Sequence, residues 1–109
     1  MEITIGLTET DRAGDYVPYI DGYRSGAKQV EVKIHLIDEV VFNTGHHALA
    51  DAIYVATNVR GEFGLPTDPL IAYVLGALGD YRQRSLSVGD TLSFDDLTFA
   101  CARFGWEQV

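Results

Sequence analysis

The sequence predicts an α+β domain with a single antiparallel sheet of about four strands and two helices packed on one face. Three observations predict it. Two-residue alternation of apolar and polar side chains marks both ends of the chain. A three-to-four-residue apolar spacing takes over in the middle. The chain has 109 residues with one cysteine, enough for one core, residues 1–109, and no disulfide framework.

The elements follow in order. From Glu2 to Leu7, Ile3, Ile5 and Leu7 fall on one face and Glu2, Thr4 and Gly6 on the other, the period of a half-buried strand. Thr8 to Ala27 carries Gly14, Pro18, Gly22 and Gly26 among Tyr16, Tyr19 and Tyr23. It reads as a loop with room for a short edge strand, since Pro18 has no N–H for an inner ladder. The clearest strand runs from Gln29 to Leu36, where Val30, Val32, Ile34 and Leu36 alternate with Glu31, Lys33 and His35. It is expected to continue through Val40, Val41 and Phe42 after a turn or bulge at Asp38–Glu39.

The period then changes. Leu49, Ala52, Ile53 and Ala56 recur at helical spacing, so the first helix runs from about Gly45 to Asn58, with Asn43 or Thr44 as its cap and Asn58 or Gly61 closing it. A second helix starts where Thr67–Asp68–Pro69 supplies an N-cap at Asp68 and a proline at the first helical position. Its buried face is Leu70, Val74, Ala77 and Leu78. Thr91 to Phe94 and Leu97 to Phe104 then read as a hairpin joined at Asp95–Asp96, entered through Gly89–Asp90.

Composition limits the function classes. Sixteen acids against eight bases give a net charge of −8, which opposes nucleic-acid phosphate unless Arg82, Arg84 and Arg103 gather on one face. The acids are scattered, as on a solvated surface. No 18-residue apolar run and no basic, apolar leader are present, so the cytoplasm is expected and the membrane is not. Gly-x-x-x-x-Gly-Lys and Gly-x-Gly-x-x-Gly are both absent, and no cofactor is expected.

The candidate chemical groups each have a plainer reading. His46, His47 and Asp51 invite a metal, since His47 and Asp51 lie one helical turn apart, but His35 and Cys101 complete no recognised ligand spacing. No metal site is expected. Ser85 and Ser87 lack a Gly-x-Ser-x-Gly elbow and suit turn hydrogen bonds better than nucleophilic attack. Cys101 sits in an apolar strand as a small core side chain, and Asp95 and Asp96 are turn formers. An enzyme is therefore not expected. The loop tyrosines beside Asp15 and Asp21 form the better candidate surface, because tyrosine offers large contact area with little entropy loss. The partner-binding residues expected are Asp15, Tyr16, Tyr19, Asp21, Tyr23, Asp38 and Glu39.

Arg84-Ser-Leu-Ser-Val-Gly-Asp90, followed by two short apolar runs and Phe104-Gly-Trp106, is the stretch specific enough to suggest a family. It resembles the C-terminal signature of small, YodL-like proteins of actinobacterial plasmids and phages, a group with no agreed activity. The resemblance spans Tyr81 to Trp106, with further support from the helix finishing Ala56-Thr57-Asn58. Where relatives commonly have Asp-Gly in the hairpin turn, this chain has Asp96. Fold roles account for the signature residues Arg84, Ser85, Ser87, Gly89, Asp90, Gly105 and Trp106. Gly89 permits a tight turn, Asp90 bonds back to it, Arg84 pairs with a carboxylate, and Trp106 covers the open end of the core. The resemblance implies origin in a mobile element and action by binding a host or element protein. With the charge of −8 and the absent catalytic set, it leads to the expectation of a host-protein binder, with blockage of a nucleic-acid-directed defence complex as one outcome. An accessory nucleic-acid-associated regulator or a metal-dependent enzyme are the alternatives.

Overall fold

The computed structural model describes residues 1–59 and 68–109. Gly61 and Thr67, named above for helix closure and the approach to the second helix, lie outside the described residues. Strand β1 (Glu2–Thr8) is followed by helix α1 (Pro18–Asp21), strand β2 (Gln29–His35), and helices α2 (Asp38–Thr44), α3 (His46–Val59) and α4 (Pro69–Leu78). Strands β3 (Thr91–Phe94), β4 (Leu97–Cys101) and β5 (Trp106–Gln108) complete the order. Among the described residues the architecture is α+β, with one antiparallel sheet of five strands in the order β2-β1-β3-β4-β5.

Alternation in the strands decides which face is covered. Ile3, Ile5 and Leu7 share a core with Leu92, Phe94, Phe99 and Ile34, and the same cluster takes in Leu49, Ile53 and Ala56 of α3 and Val74 and Leu78 of α4. The opposite face carries Thr4, Gly6 and Thr8 in register with Ser93 and Thr91, and with Lys33, Glu31 and Gln29. One face is thus apolar and helix-covered, and the other is built largely from short polar side chains.

The strand and helix counts exceed the expectation for local reasons. Val40–Phe42 is helical rather than extended: Ile37 takes the N-cap position and Asp38 and Glu39 occupy the first turn of α2, where carboxylates favour the exposed N–H groups. The acidic pair opens a helix instead of a turn. Val41 alone is buried, and Gly45, at φ 86°, closes α2 with its N–H on the Val41 carbonyl. Thr44 therefore ends α2 rather than capping α3. The carbonyl of Gly45 accepts the first bond of α3 from Leu49 N–H at 3.0 Å.

Pro18 likewise opens the short helix α1 and no edge strand, its fixed φ suiting the first helical position. Asp68 caps α4 as expected, its carboxylate accepting from Leu70 N–H at 2.8 Å. At the other end, the apolar run from Leu97 stops at Cys101. A turn closed by Ala102 N–H on the Gly105 carbonyl at 2.9 Å sends Trp106 back as β5. That strand has three residues, too few for alternation to reveal. The Asp95–Asp96 hairpin turn is present, with Asp95 at φ 52° filling the left-handed position that glycine commonly takes.

Candidate functional site

The Arg84–Asp90 turn is a closed polar knot. Asp90 is fully buried. Its carboxylate accepts from Arg84 Nη1 at 2.6 Å, Arg84 Nη2 at 2.7 Å, Thr8 N–H at 2.9 Å and Ser87 N–H at 2.8 Å. Arg84 Nη2 also donates to the Thr8 carbonyl at 3.0 Å. The bidentate contact holds the Arg84 guanidinium above its ordinary pKa, the hydrogen bonds to Asp90 outweighing its partial burial. Every acceptor direction on Asp90 is thereby engaged, and the end of β1 is tied to the start of β3. Ser85 Oγ donates to the Thr57 carbonyl at 2.9 Å, fastening the same turn to the end of α3.

Gly89 sits at φ 91°, and a Cβ built there would lie 2.7 Å from Pro18 Cβ and 3.0 Å from the Pro18 carbonyl oxygen. The loop between β1 and β2 thus leans directly on the turn. Within it, the Tyr16 hydroxyl donates to the Gly22 carbonyl at 2.6 Å, and the Arg24 guanidinium lies 4.2 Å from the centre of the Tyr16 ring. Removal from water raises the Tyr16 pKa above its usual value, against the lowering influence of Arg24. Asp21 Oδ2 accepts from Val17 N–H at 2.8 Å and stabilises the start of α1.

This anchoring divides the predicted partner-binding residues. Tyr16 is only 3% exposed, so it is a loop anchor and not a contact residue, a correction that follows from its inward hydroxyl bond. Tyr19 and Ile20 project from α1 at 69% and 63% exposure, with Tyr23 just beyond. Asp15 and Asp21 are exposed on the same loop. Asp38 and Glu39 do not join them: they lie past the far end of β2, where Asp38 Oδ1 stands 2.6 Å from the Met1 nitrogen. A seven-residue strand separates the two groups, roughly 20 Å.

Sequence reasoning missed one neighbour of the α1 surface. Arg103 Nη2 donates to the Ile20 carbonyl at 3.3 Å, which sets the β4–β5 turn beside α1. Phe104, next in the chain, is 98% exposed. A cleft of about 180 Å³ between the two elements is lined by Ile20, Tyr23, Val88 and Arg103 among others. The available signal was the aromatic placed directly before a turn glycine, where no strand face could bury it.

The remaining candidates are engaged elsewhere. The His46 ring packs 5.1 Å from Phe94 and the His47 ring 5.1 Å from Phe99, while Asp51 accepts from Trp106 Nε1 at 3.1 Å. Among the described residues, no group of three or more His, Cys, Asp or Glu side chains is placed to hold a metal ion. Trp106 is buried over the core edge by the bond to Asp51. Cys101 is buried, and desolvation, reinforced by Asp90 and Asp51, pushes its thiol up to about 11. Arg84 is committed to Asp90, so Arg82, Arg84 and Arg103 do not make one free basic face. No helix among the described residues is long and apolar enough to cross a membrane. The chain matches no family model, no curated protein and no solved structure.

Proposed function

We propose that this chain is a small acidic binding protein of a mobile genetic element, acting in the cytoplasm on a host protein rather than by catalysis. The observation that carries the reading is that Tyr19 and Ile20 of α1 and Phe104 of the β4–β5 turn are all exposed, on two elements that the Arg103–Ile20 bond sets next to each other. Large apolar side chains kept outward on a locally anchored loop and a tight hairpin are what a partner's pocket desolvates, and aromatic residues are common interface anchors. Asp15 and Asp21 beside them, within a net charge of −8, favour a basic partner surface and speed the encounter. A groove evolved for nucleic-acid phosphate, as in a nucleic-acid-directed defence complex, fits that description.

The test is affinity capture from host lysate at low ionic strength, using the wild-type chain, Ile20→Asp and Phe104→Asp. The expected result is one retained protein or complex, lost with either variant and weakened by salt, while both variants stay folded. Retention of nothing, or equal retention by all three, refutes the reading. Unchanged phage plating and plasmid transfer on expression of the chain would remove the defence target while leaving binding to stand.

A further inference from the structure

The geometry points to a second copy of this chain as the partner of the outer edge of β2, in an antiparallel pairing centred on Val32 that joins two sheets into one. β2 is an end strand of the sheet. Two main-chain bonds establish which of its groups face outward. Leu36 N–H donates to the Met1 carbonyl and Glu9 N–H to the Lys28 carbonyl, both at 2.9 Å, and both pairs extend the register that runs from Glu2↔His35 to Thr8↔Gln29. Antiparallel ladders alternate bonded and non-bonded pairs, so the bonded pairs between them are Ile3–Ile34, Ile5–Val32 and Leu7–Val30. The N–H and C=O groups of Gln29, Glu31, Lys33 and His35 therefore point away from β1. Among the described residues no other element bonds to them.

An open edge seven residues long is a template for another strand, and proteins usually blunt such edges with charge or proline. Here the charges are instead self-complementary. With a two-fold axis through Val32, Glu31 faces the partner's Lys33 and Lys33 faces the partner's Glu31. Gln29 then meets the partner's His35. On the core side, Val30 meets the partner's Ile34 and Val32 meets its own counterpart. All four outward-pointing residues fall into bonded pairs, giving up to about eight main-chain hydrogen bonds, two to a pair. Centring the axis one residue either way would set Glu31 against Glu31 or Lys33 against Lys33 and shorten the overlap. Like charges directly opposite destabilise a strand pair, so the sequence Gln-Val-Glu-Val-Lys-Ile-His selects the centred register. The interface is isologous, as a closed dimer requires.

Charge reversal tests this, read by sedimentation velocity over a range of concentrations, with circular dichroism confirming that each variant is folded. The wild type is expected to dimerise reversibly. Lys33→Glu alone and Glu31→Lys alone should each weaken the dimer about tenfold or more, since each creates two like-charge pairs across the axis. The double exchange Glu31→Lys with Lys33→Glu restores opposite charges and should return the affinity to within about threefold of wild type. Lys33 also lies 3.5 Å from Glu2 of its own chain, an exposed contact that the folding control covers. Lys33→Pro removes an outward N–H while sparing the bonds to β1, and should give a folded monomer. A wild type that stays monomeric at millimolar concentration, a double exchange as weak as the single reversals, or a Lys33→Pro protein that still dimerises would overturn the proposal.

Discussion

Replacing Asp90 by alanine is expected to be the most damaging single polar substitution in the turn. The side chain is fully buried and accepts four hydrogen bonds, two from the Arg84 guanidinium and two from the main-chain N–H groups of Thr8 and Ser87. The two main-chain donors cannot move to water without opening the turn, and leaving each unsatisfied costs about 1 to 3 kcal/mol. Arg84 behaves differently: its side chain is 47% exposed and regains water, so loss of the ion pair adds only about 1 kcal/mol or less. The sum is about 2 to 7 kcal/mol, equivalent to a fall in Tm of roughly 10 to 35 °C for a domain of this size. Urea unfolding followed by fluorescence of the single tryptophan, Trp106, measures it, since that side chain is buried only in the folded state. Arg84→Lys keeps the charge and both main-chain bonds to Asp90, and should lose about 1 kcal/mol. A loss below about 1 kcal/mol for Asp90→Ala, or equal losses for the two variants, would show that the carboxylate is not held as described.

Two further outcomes follow from the same region. Gly89→Ala places a side chain at φ 91° against Pro18, and should lower stability by about 2 to 4 kcal/mol while exposing the loop around α1 to limited proteolysis; a protein as stable and as resistant as wild type would contradict the close approach. Cys101 titrates at about 11 in the fold against 9.0 in the open chain, so its contribution to stability is complete below pH 9 and is lost as pH rises through 11. The difference in unfolding free energy between wild type and Cys101→Ala should accordingly change between pH 8 and pH 11, and a constant difference would refute the buried, protonated thiol.

The parts of the fold legible in the sequence are those whose periodicity survives packing on one side only. β1, β2 and β3 alternate cleanly because one face meets the core and the other carries Thr4, Lys33 or Ser93. The helical spacing of Leu49, Ile53 and Ala56 is equally direct, as is the Asp68–Pro69 start of α4. α2 escaped because Val40, Val41 and Phe42 are β-formers by composition. Their helical state is decided by the acidic pair before them and the positive-φ Gly45 after them. The candidate surface was half legible. Tyr19, Tyr23, Asp15 and Asp21 are local to one loop, but the addition of Phe104 depends on a contact 83 residues apart that periodicity does not encode. Tyr16 shows the converse: its hydroxyl turns inward to Gly22, and neighbouring acids give no sign of that.

The position of β1 between β2 and β3 has a consequence for how the chain acquires its structure. One flank of β1 is supplied by the nearby β2, but the other must wait for the hairpin beyond residue 90, and the Thr8–Asp90 bond that secures it joins residues 82 apart. Closing so long a loop precedes any reward from the inner ladder, which makes folding slow relative to a helical domain of similar length. On the ribosome, β1 and β2 emerge as an isolated two-stranded ribbon that is marginal in water, with its apolar side uncovered. The segment from Arg84 to Trp106 thus works as a latch on the nascent chain: until it arrives, β1, an inner strand of the finished sheet, is an edge.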